Sequence, residues 1–142
     1  MGDDFIYNAD GSSEAKHHIE ATERAGGTCG MLVTEVPRER VNQYGVLELE
    51  DGFFKSIVEK PEPSKAPSNL INISKYIFDK TIFRLAEELV AQPRNGEYHI
   101  TDVLNTYVSH GNKIAVVPAR GEYLDGGTLE GWLQANNRVV GL

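Results

Sequence analysis

Cysteine is nearly missing from this chain: Cys29 stands alone among 142 residues. No internal disulfide can form, which fits a reducing compartment, and the apolar run around Cys29 points to a buried thiol. Positive charge is also scarce, with 14 Lys and Arg against 21 Asp and Glu and a net charge of −7. A sheath of nucleic-acid phosphate or an anionic membrane would select a basic face, so neither is expected as the main partner. Long hydrophobic runs are lacking too. Nothing approaches the about 20 apolar residues of a membrane helix, and the start at Met1 has neither a basic segment nor an apolar one of the secretory kind. A cytoplasmic protein is expected.

The chain does have 40% hydrophobic and 25% charged residues, the balance of one soluble domain over residues 1–142. A second full domain would not fit. No internal repeat or low-complexity segment interrupts it.

Residues 1–7 read as the tail of a strand entering a polar loop. A helix is predicted over 13–25, with Ala15, Ile19, Thr22 and Ala25 on its apolar stripe, then a buried strand over 28–36 closed by Pro37. Strand, helix and strand in this order predict a parallel sheet with helices on its faces. A strand over 70–78 leads into a helix over 80–90. Asp79 is its cap, Ile82, Ala86, Leu89 and Val90 face inward, and Phe78 staples onto Phe83. Ile100, Val103, Leu104, Tyr107 and Val108 have the i, i+3, i+4, i+7, i+8 spacing of an amphipathic helix, stopped by Gly111. Strands follow over 113–118 and 122–124. Asp125-Gly126-Gly127 then turns into a last helix capped by Thr128, with Leu129, Trp132, Leu133 and Val140 expected inward. Tyr76 is read as a core residue.

Residues 44–61 form the most informative stretch. Asp51-Gly52 between two extended runs signals a two-residue hairpin, since a type I′ turn needs positive φ at both positions. Pairing outward sets Glu50 against Phe53, Glu48 against Lys55, Val46 against Ile57 and Tyr44 against Glu59. The far end gathers Tyr44, Gly45, Glu59 and Lys60. A glycine admitting a ligand to the backbone, a carboxylate for hydroxyls and an ammonium for phosphate suit a phosphorylated sugar. Charges that close an exposed strand before Pro61 would look the same.

Asp3 and Asp4 sit where one strand ends and Asp125 where another turns into a helix. Acids at such edges are candidates for a divalent metal, though on spacing alone a solvated terminal pair and a turn residue explain them better. His17 and His18 point about 100° apart on a helix, which is wrong for joint ligation, and are read as solvated. His99 and His110 are read as helix-terminus residues. No Ser/His/Asp or Cys/His arrangement stands out.

Six motifs taken in order go further: Met-Gly-Asp-Asp-Phe at 1–5, Tyr-Gly-Val at 44–46, Val-Glu-Lys-Pro at 58–61, Ala-Pro-Ser-Asn-Leu at 66–70, Glu-Tyr-His-Ile-Thr-Asp at 97–102 and Leu-Asp-Gly-Gly-Thr at 124–128. Together they resemble the bacterial sugar-1-phosphate nucleotidylyltransferases, above all the UTP-glucose-1-phosphate uridylyltransferase group, in its C-terminal half. The resemblance implies an α/β fold, a Rossmann-like α/β/α sandwich lacking its N-terminal part and carrying a β-hairpin. It implies a sugar phosphate attacking the α-phosphorus of a nucleoside triphosphate, making UDP-glucose and pyrophosphate from UTP and glucose 1-phosphate. Asp3 and Asp125 would hold Mg²⁺, Lys60 would contact the sugar phosphate, Glu59 and Gly45 the sugar hydroxyls, and Asn69 would join the substrate site. Two departures accompany it. The family's glycine-rich nucleotide loop, with its arginine and lysine, does not occur here, so the chain alone is expected to be inactive and to cover a sheet edge and the apolar strand face beside residues 1–7 by self-association or by pairing with another sheet. Where the family has Gly-Arg-Tyr, this chain has Ser74-Lys75-Tyr76. Other readings are a non-catalytic module that binds a sugar phosphate or a partner chain, or a relative acting on another sugar or base, as thymidylyl- and guanylyltransferases do.

Overall fold

The computed structural model describes residues 4–93 and 95–141. Seven strands, β1 (Asp4–Tyr7), β2 (Cys29–Glu35), β3 (Gly45–Glu50), β4 (Phe53–Glu59), β5 (Leu70–Ile77), β6 (Ile114–Pro118) and β7 (Glu122–Asp125), combine with four helices, α1 (Glu14–Arg24), α2 (Lys80–Val90), α3 (Ile100–Ser109) and α4 (Leu129–Val140). The fold is α/β, but the predicted parallel sheet is mostly antiparallel. Five strands run β2-β5-β3-β4-β6 around a curled sheet that closes on itself, and only β2 and β6 are parallel. β1 does not join its successor β2; it pairs antiparallel with β7 in a separate two-stranded ribbon. Helix α1 thus links two sheets, a topology that hydrophobic spacing does not encode.

The core lies between the closed sheet and α2 and α3, around Met31, Leu47, Phe54, Ile82, Leu104 and Tyr107. Caps set the helix starts: Ser13 Oγ accepts the Lys16 N–H at 3.2 Å and Asp79 Oδ1 the Thr81 N–H at 2.8 Å, replacing partners that a first turn lacks. Phe78 meets Phe83 edge to face at 6.5 Å, as the staple predicts, while Tyr76 stacks on Phe78 at 5.0 Å. The most buried residues of α2 are Ile82 and Leu85, and Ala86 and Leu89 pack half-buried against the core as predicted, while Val90 is exposed. In α3, Val103, Leu104 and Tyr107 are buried as predicted, and Ile100 at the entry is exposed.

Two helices depart from their expected faces. In α1 the buried residues are Thr22 and His18, the latter only 4% exposed, whereas Ile19 lies in solvent. His18 is therefore not a surface residue. The cause is Gly30 of β2, where an added Cβ would lie 3.0 Å from His18 Nε2 and 2.1 Å from Thr22 Oγ1: the bare backbone lets the polar face of α1 come close. In α4 only Ala135 is buried, and Leu129, Trp132, Leu133 and Val140 are all exposed. Its periodicity identifies the apolar face correctly, but nothing among the described residues covers that face.

The loop between β4 and β5 is tied down from a distance. The Arg38 guanidinium donates to the carbonyl oxygens of Pro63 (2.7 Å), Ala66 (2.6 Å) and Ser68 (2.9 Å).

Candidate functional site

The hairpin forms at Asp51-Gly52, with φ of 51° and 82°, the positive values a type I′ turn needs. Its first pair is Glu50 with Phe53, as predicted, but a bulge between Leu49 and Glu48 then shifts the ladder by one residue. Glu48 pairs with Ser56, Leu47 with Ile57, and Gly45 directly with Glu59. Lys55 is the extra residue, and its ammonium still reaches Glu48 at 2.9 Å. A bulge leaves no mark in an alternating pattern, so the turn was legible and the register beyond it was not.

The shift tightens the far end. A Cβ on Gly45 would lie 2.9 Å from Ile57 Cγ2 and 3.0 Å from Glu59 Oε1, so the Glu59 carboxylate already lies over the bare backbone of Gly45. Lys60 follows in a left-handed conformation (φ 45°), its N–H donating to the Tyr44 carbonyl at 3.0 Å and its side chain exposed.

Gly45 and Glu59 open into a cavity of about 330 Å³ whose other walls include Asn72 and Ser74 of β5, Thr101 of α3, and Asp4, Tyr123 and Asp125 of the β1–β7 ribbon. The ribbon register places Asp4 opposite Asp125, which brings two acids from opposite ends of the chain to one edge. Tyr123 OH donates to Asp4 Oδ1 at 3.1 Å, and burial, reinforced by the Asp4 carboxylate, pushes its phenol far above the ordinary value. Lys75 Nζ donates to the Asp4 carbonyl at 2.9 Å and fastens the ribbon to the closed sheet. Asp125 Oδ1 accepts the Gly127 N–H at 2.8 Å within its turn. A second cavity, about 560 Å³, adjoins the first through Gln43, Tyr44, Tyr123 and Asp125, and reaches Arg40 and Glu130.

Of the residues singled out in the sequence, Asp4, Tyr44, Gly45, Glu59 and Asp125 meet in this one cavity. Lys60 stands beside it and does not line it. Asn69 is elsewhere: its side chain faces Glu35 at 3.5 Å and its carbonyl accepts the Val36 N–H. Asp3 lies outside the described residues. His99 and His110 do bound α3, with the His99 N–H donating to the Asp102 carboxylate at 3.2 Å.

Asn72, Ser74 and Tyr123 were missed. Between Leu32 and Val33 the β2–β5 register jumps from Lys75 to Asn72, and Ser74, in the resulting bulge, has φ 55°. With that left-handed backbone Ser74 lines the cavity, while Asn72 is held by Tyr76 OH and by the Ser74 N–H. The Ser-Lys-Tyr departure was the available signal.

The donor set suits a hard cation in part. Among the described residues no three His, Cys, Asp or Glu side chains gather around one point. Magnesium commonly takes one or two carboxylates with phosphate oxygens and water, and Asp125 keeps one oxygen clear of its turn bond.

The chain matches the Nucleotidyl transferase family over residues 1–140. It is 35% identical over 144 aligned positions to a UTP–glucose-1-phosphate uridylyltransferase of Pseudomonas aeruginosa, covering 96% of this chain and 50% of that protein. Among solved structures it is similar to an apo UDP-glucose pyrophosphorylase (TM-score 0.80, 32% identity, 98% of this chain and 52% of the other). A UDP-glucose pyrophosphorylase complexed with UDP-glucose is similar to the same degree (TM-score 0.77, 31% identity, 98% and 53%). The chain spans about half the length of these relatives. A family match along nearly the whole sequence, joined to a shared fold and to the convergence of the hairpin end with the Asp125 edge, makes this chain a member of the nucleotidyl transferase family.

Proposed function

We propose that the chain supplies the sugar-phosphate and metal side of an enzyme that makes UDP-glucose and pyrophosphate from UTP and glucose 1-phosphate. The observation that supports this reading best is the cavity that brings Gly45 and Glu59 to face Asp4 and Asp125. Glu59 accepts hydrogen bonds from sugar hydroxyls, and the missing side chain of Gly45 lets the sugar ring approach the strand. Lys60, fixed by its N–H to Tyr44 beside the cavity mouth, directs an ammonium onto the sugar phosphate. Asp125, with Asp3, holds Mg²⁺, which when bound neutralises phosphate charge. Phosphoryl-type transfer depends mainly on positioning and on charge neutralisation, and these groups provide both for one of the two reactants.

The sequence carries no glycine-rich motif of the kind that cradles a triphosphate. The chain by itself is proposed to bind glucose 1-phosphate without turning it over. Calorimetric titration with glucose 1-phosphate tests the site: binding is expected, and Lys60→Ala weakens it about tenfold to a hundredfold, the loss of one charge-assisted contact. Unchanged affinity in Lys60→Ala would remove Lys60 from the site. Pyrophosphate release at an ordinary enzymatic rate from the chain with UTP, glucose 1-phosphate and Mg²⁺ would refute the proposed inactivity.

A further inference from the structure

Nine asparagines are spread along the chain, and eight of them precede a residue that carries a side chain. Asn95 alone precedes a glycine. The pair lies in the connection between α2 and α3, where both residues are exposed, and Gly96 has φ 105°, backbone that favours glycine. A Cβ added to Gly96 would meet nothing within 4 Å, so no neighbour crowds the main chain there. Among the described residues nothing accepts the Gly96 N–H and nothing bonds the Asn95 side chain. Exposed loops of this kind are where covalent change to a folded chain concentrates.

An asparagine side chain and the next main-chain nitrogen are spaced to close a cyclic imide. Closure needs a nitrogen that is neither shielded by a following side chain nor held in a helix or sheet. The other asparagines fail on one count or both: Asn105 lies in α3, Asn136 and Asn137 lie in α4, and Asn72 is fixed in β5 by two hydrogen bonds. Asp-Gly, which can close the same ring, occurs at Asp10, Asp51 and Asp125. An ionised carboxylate is a poor electrophile, however, and Asp10 and Asp125 are further tied to main-chain N–H groups at 2.9 and 2.8 Å.

We propose that Asn95 is a site of spontaneous covalent modification, at which the folded chain converts to aspartate and isoaspartate. The Gly96 nitrogen, giving its proton to hydroxide, attacks Cγ of Asn95; a C–N bond forms, and the side-chain amide leaves as ammonia. Water then opens the imide. Breaking the new bond gives aspartate, whereas breaking the original peptide bond leaves Gly96 joined through Cγ, as isoaspartate with an extra methylene in the main chain. One ammonia is lost and one water gained, and nothing is oxidised or reduced. Either product adds a negative charge to a chain already at −7. It does so inside a loop that Tyr98 OH closes onto the Gln92 carbonyl at 2.5 Å, just ahead of the helix that carries Thr101 to the substrate cavity. The inference goes beyond the proposed reaction and does not depend on its ligands.

The test incubates the purified chain at physiological temperature, at mildly acidic and mildly alkaline pH, with a parallel sample held unfolded in guanidinium chloride. Peptide mass spectrometry reads the amide-to-acid change at each asparagine. Isoaspartate is counted by methyl transfer from S-adenosylmethionine with an isoaspartate-specific carboxyl methyltransferase. In the folded chain, conversion at Asn95 is expected to exceed that at any other asparagine by about an order of magnitude, because only there does no side chain follow the ring-closing nitrogen. It should quicken with pH. Asn95→Gln, which must close a larger ring, abolishes methyl acceptance and leaves urea unfolding unchanged. Conversion spread evenly over the asparagines overturns the proposal, as does conversion at Asn95 confined to the unfolded sample, since the fold then protects the loop. Methyl acceptance that persists in Asn95→Gln also overturns it, because the isoaspartate then arises at an Asp-Gly pair.

Discussion

Helices α3 and α4 are of similar length, and each carries an apolar stripe at helical spacing, yet they end in opposite situations. In α3 the stripe of Val103, Leu104 and Tyr107 closes the core under the curled sheet; in α4 the stripe of Leu129, Trp132, Leu133 and Val140 faces solvent. Periodicity reports which face of a helix is apolar. It does not report whether the molecule holds a surface for that face to meet, because that depends on elements distant in sequence. The contrast separates a finished region, the closed sheet with α2 and α3, from an open one, the β1–β7 ribbon with α4.

The sharpest way to break this comparison is to truncate one leucine in each helix. Leu104→Ala removes a fully buried side chain and is expected to cost about 2 to 5 kcal/mol. Leu133→Ala removes an exposed one and should stay within about 0.5 kcal/mol. Urea unfolding of both variants decides it, and equal losses would mean that α4 is as well seated as α3.

Next in size is a change at the cavity where the two regions meet. Gly45→Ala places a methyl group against Ile57 and the Glu59 carboxylate, and the displaced carboxylate should lose about 1.5 to 3 kcal/mol of glucose 1-phosphate binding. Calorimetry checks this, and unaltered affinity would show that the ligand does not depend on the hairpin end.

A smaller effect is expected inside the finished region. Ser74 holds a left-handed backbone (φ 55°), which costs an L-residue about 1 to 2 kcal/mol. Ser74→Gly relieves that strain and also loosens the unfolded chain, so a net gain of up to about 1 kcal/mol is expected in the same unfolding assay. A loss would show that the serine side chain outweighs its backbone strain.

The smallest effect lies in α1, which has a polar face buried against the sheet. Burial holds His18 below its ordinary 6.5, with neighbouring His17 acting in the same sense and Glu14 opposing. A base with a depressed folded value favours the neutral form in the native state, so its contribution is complete above 6.5 and fades as pH falls toward the folded value. Unfolding curves at a series of pH values below 6.5 should show this decline, and His18→Gln should flatten it. An equally steep decline in the variant would assign it to other groups.

What the sequence made legible follows from the range of each signal. Caps at Asp79 and Thr128, the Asp51-Gly52 turn and the α3 stripe are local, and the structure carries each of them. The register of Gly45 against Glu59 needed a bulge at Glu48 that no residue announces. The burial of His18 needed Gly30, twelve residues on and in another element. Of the candidate site, Asp4, Tyr44, Gly45, Glu59 and Asp125 were found in the sequence through the hairpin, the strand ends and the motifs, whereas Tyr123 and Asn72 depend on strand pairing and entered only with the fold.

Arg38 has a consequence for how this surface can change. It grips the loop by three carbonyl oxygens, at Pro63, Ala66 and Ser68, and by no side chain. Carbonyls belong to every residue type, so the path of the loop is indifferent to the identity of Glu62, Ser64 and Lys65, and these positions can drift freely. Beside the buried Ala66 and the Ser68 hydroxyl, which donates to the Leu47 carbonyl at 2.6 Å, the largest single tie is one residue well upstream. A lysine there offers a compact ammonium in place of a planar fork and cannot match three acceptors spread around the guanidinium plane. The loop is tolerant at its exposed positions and vulnerable at a distance.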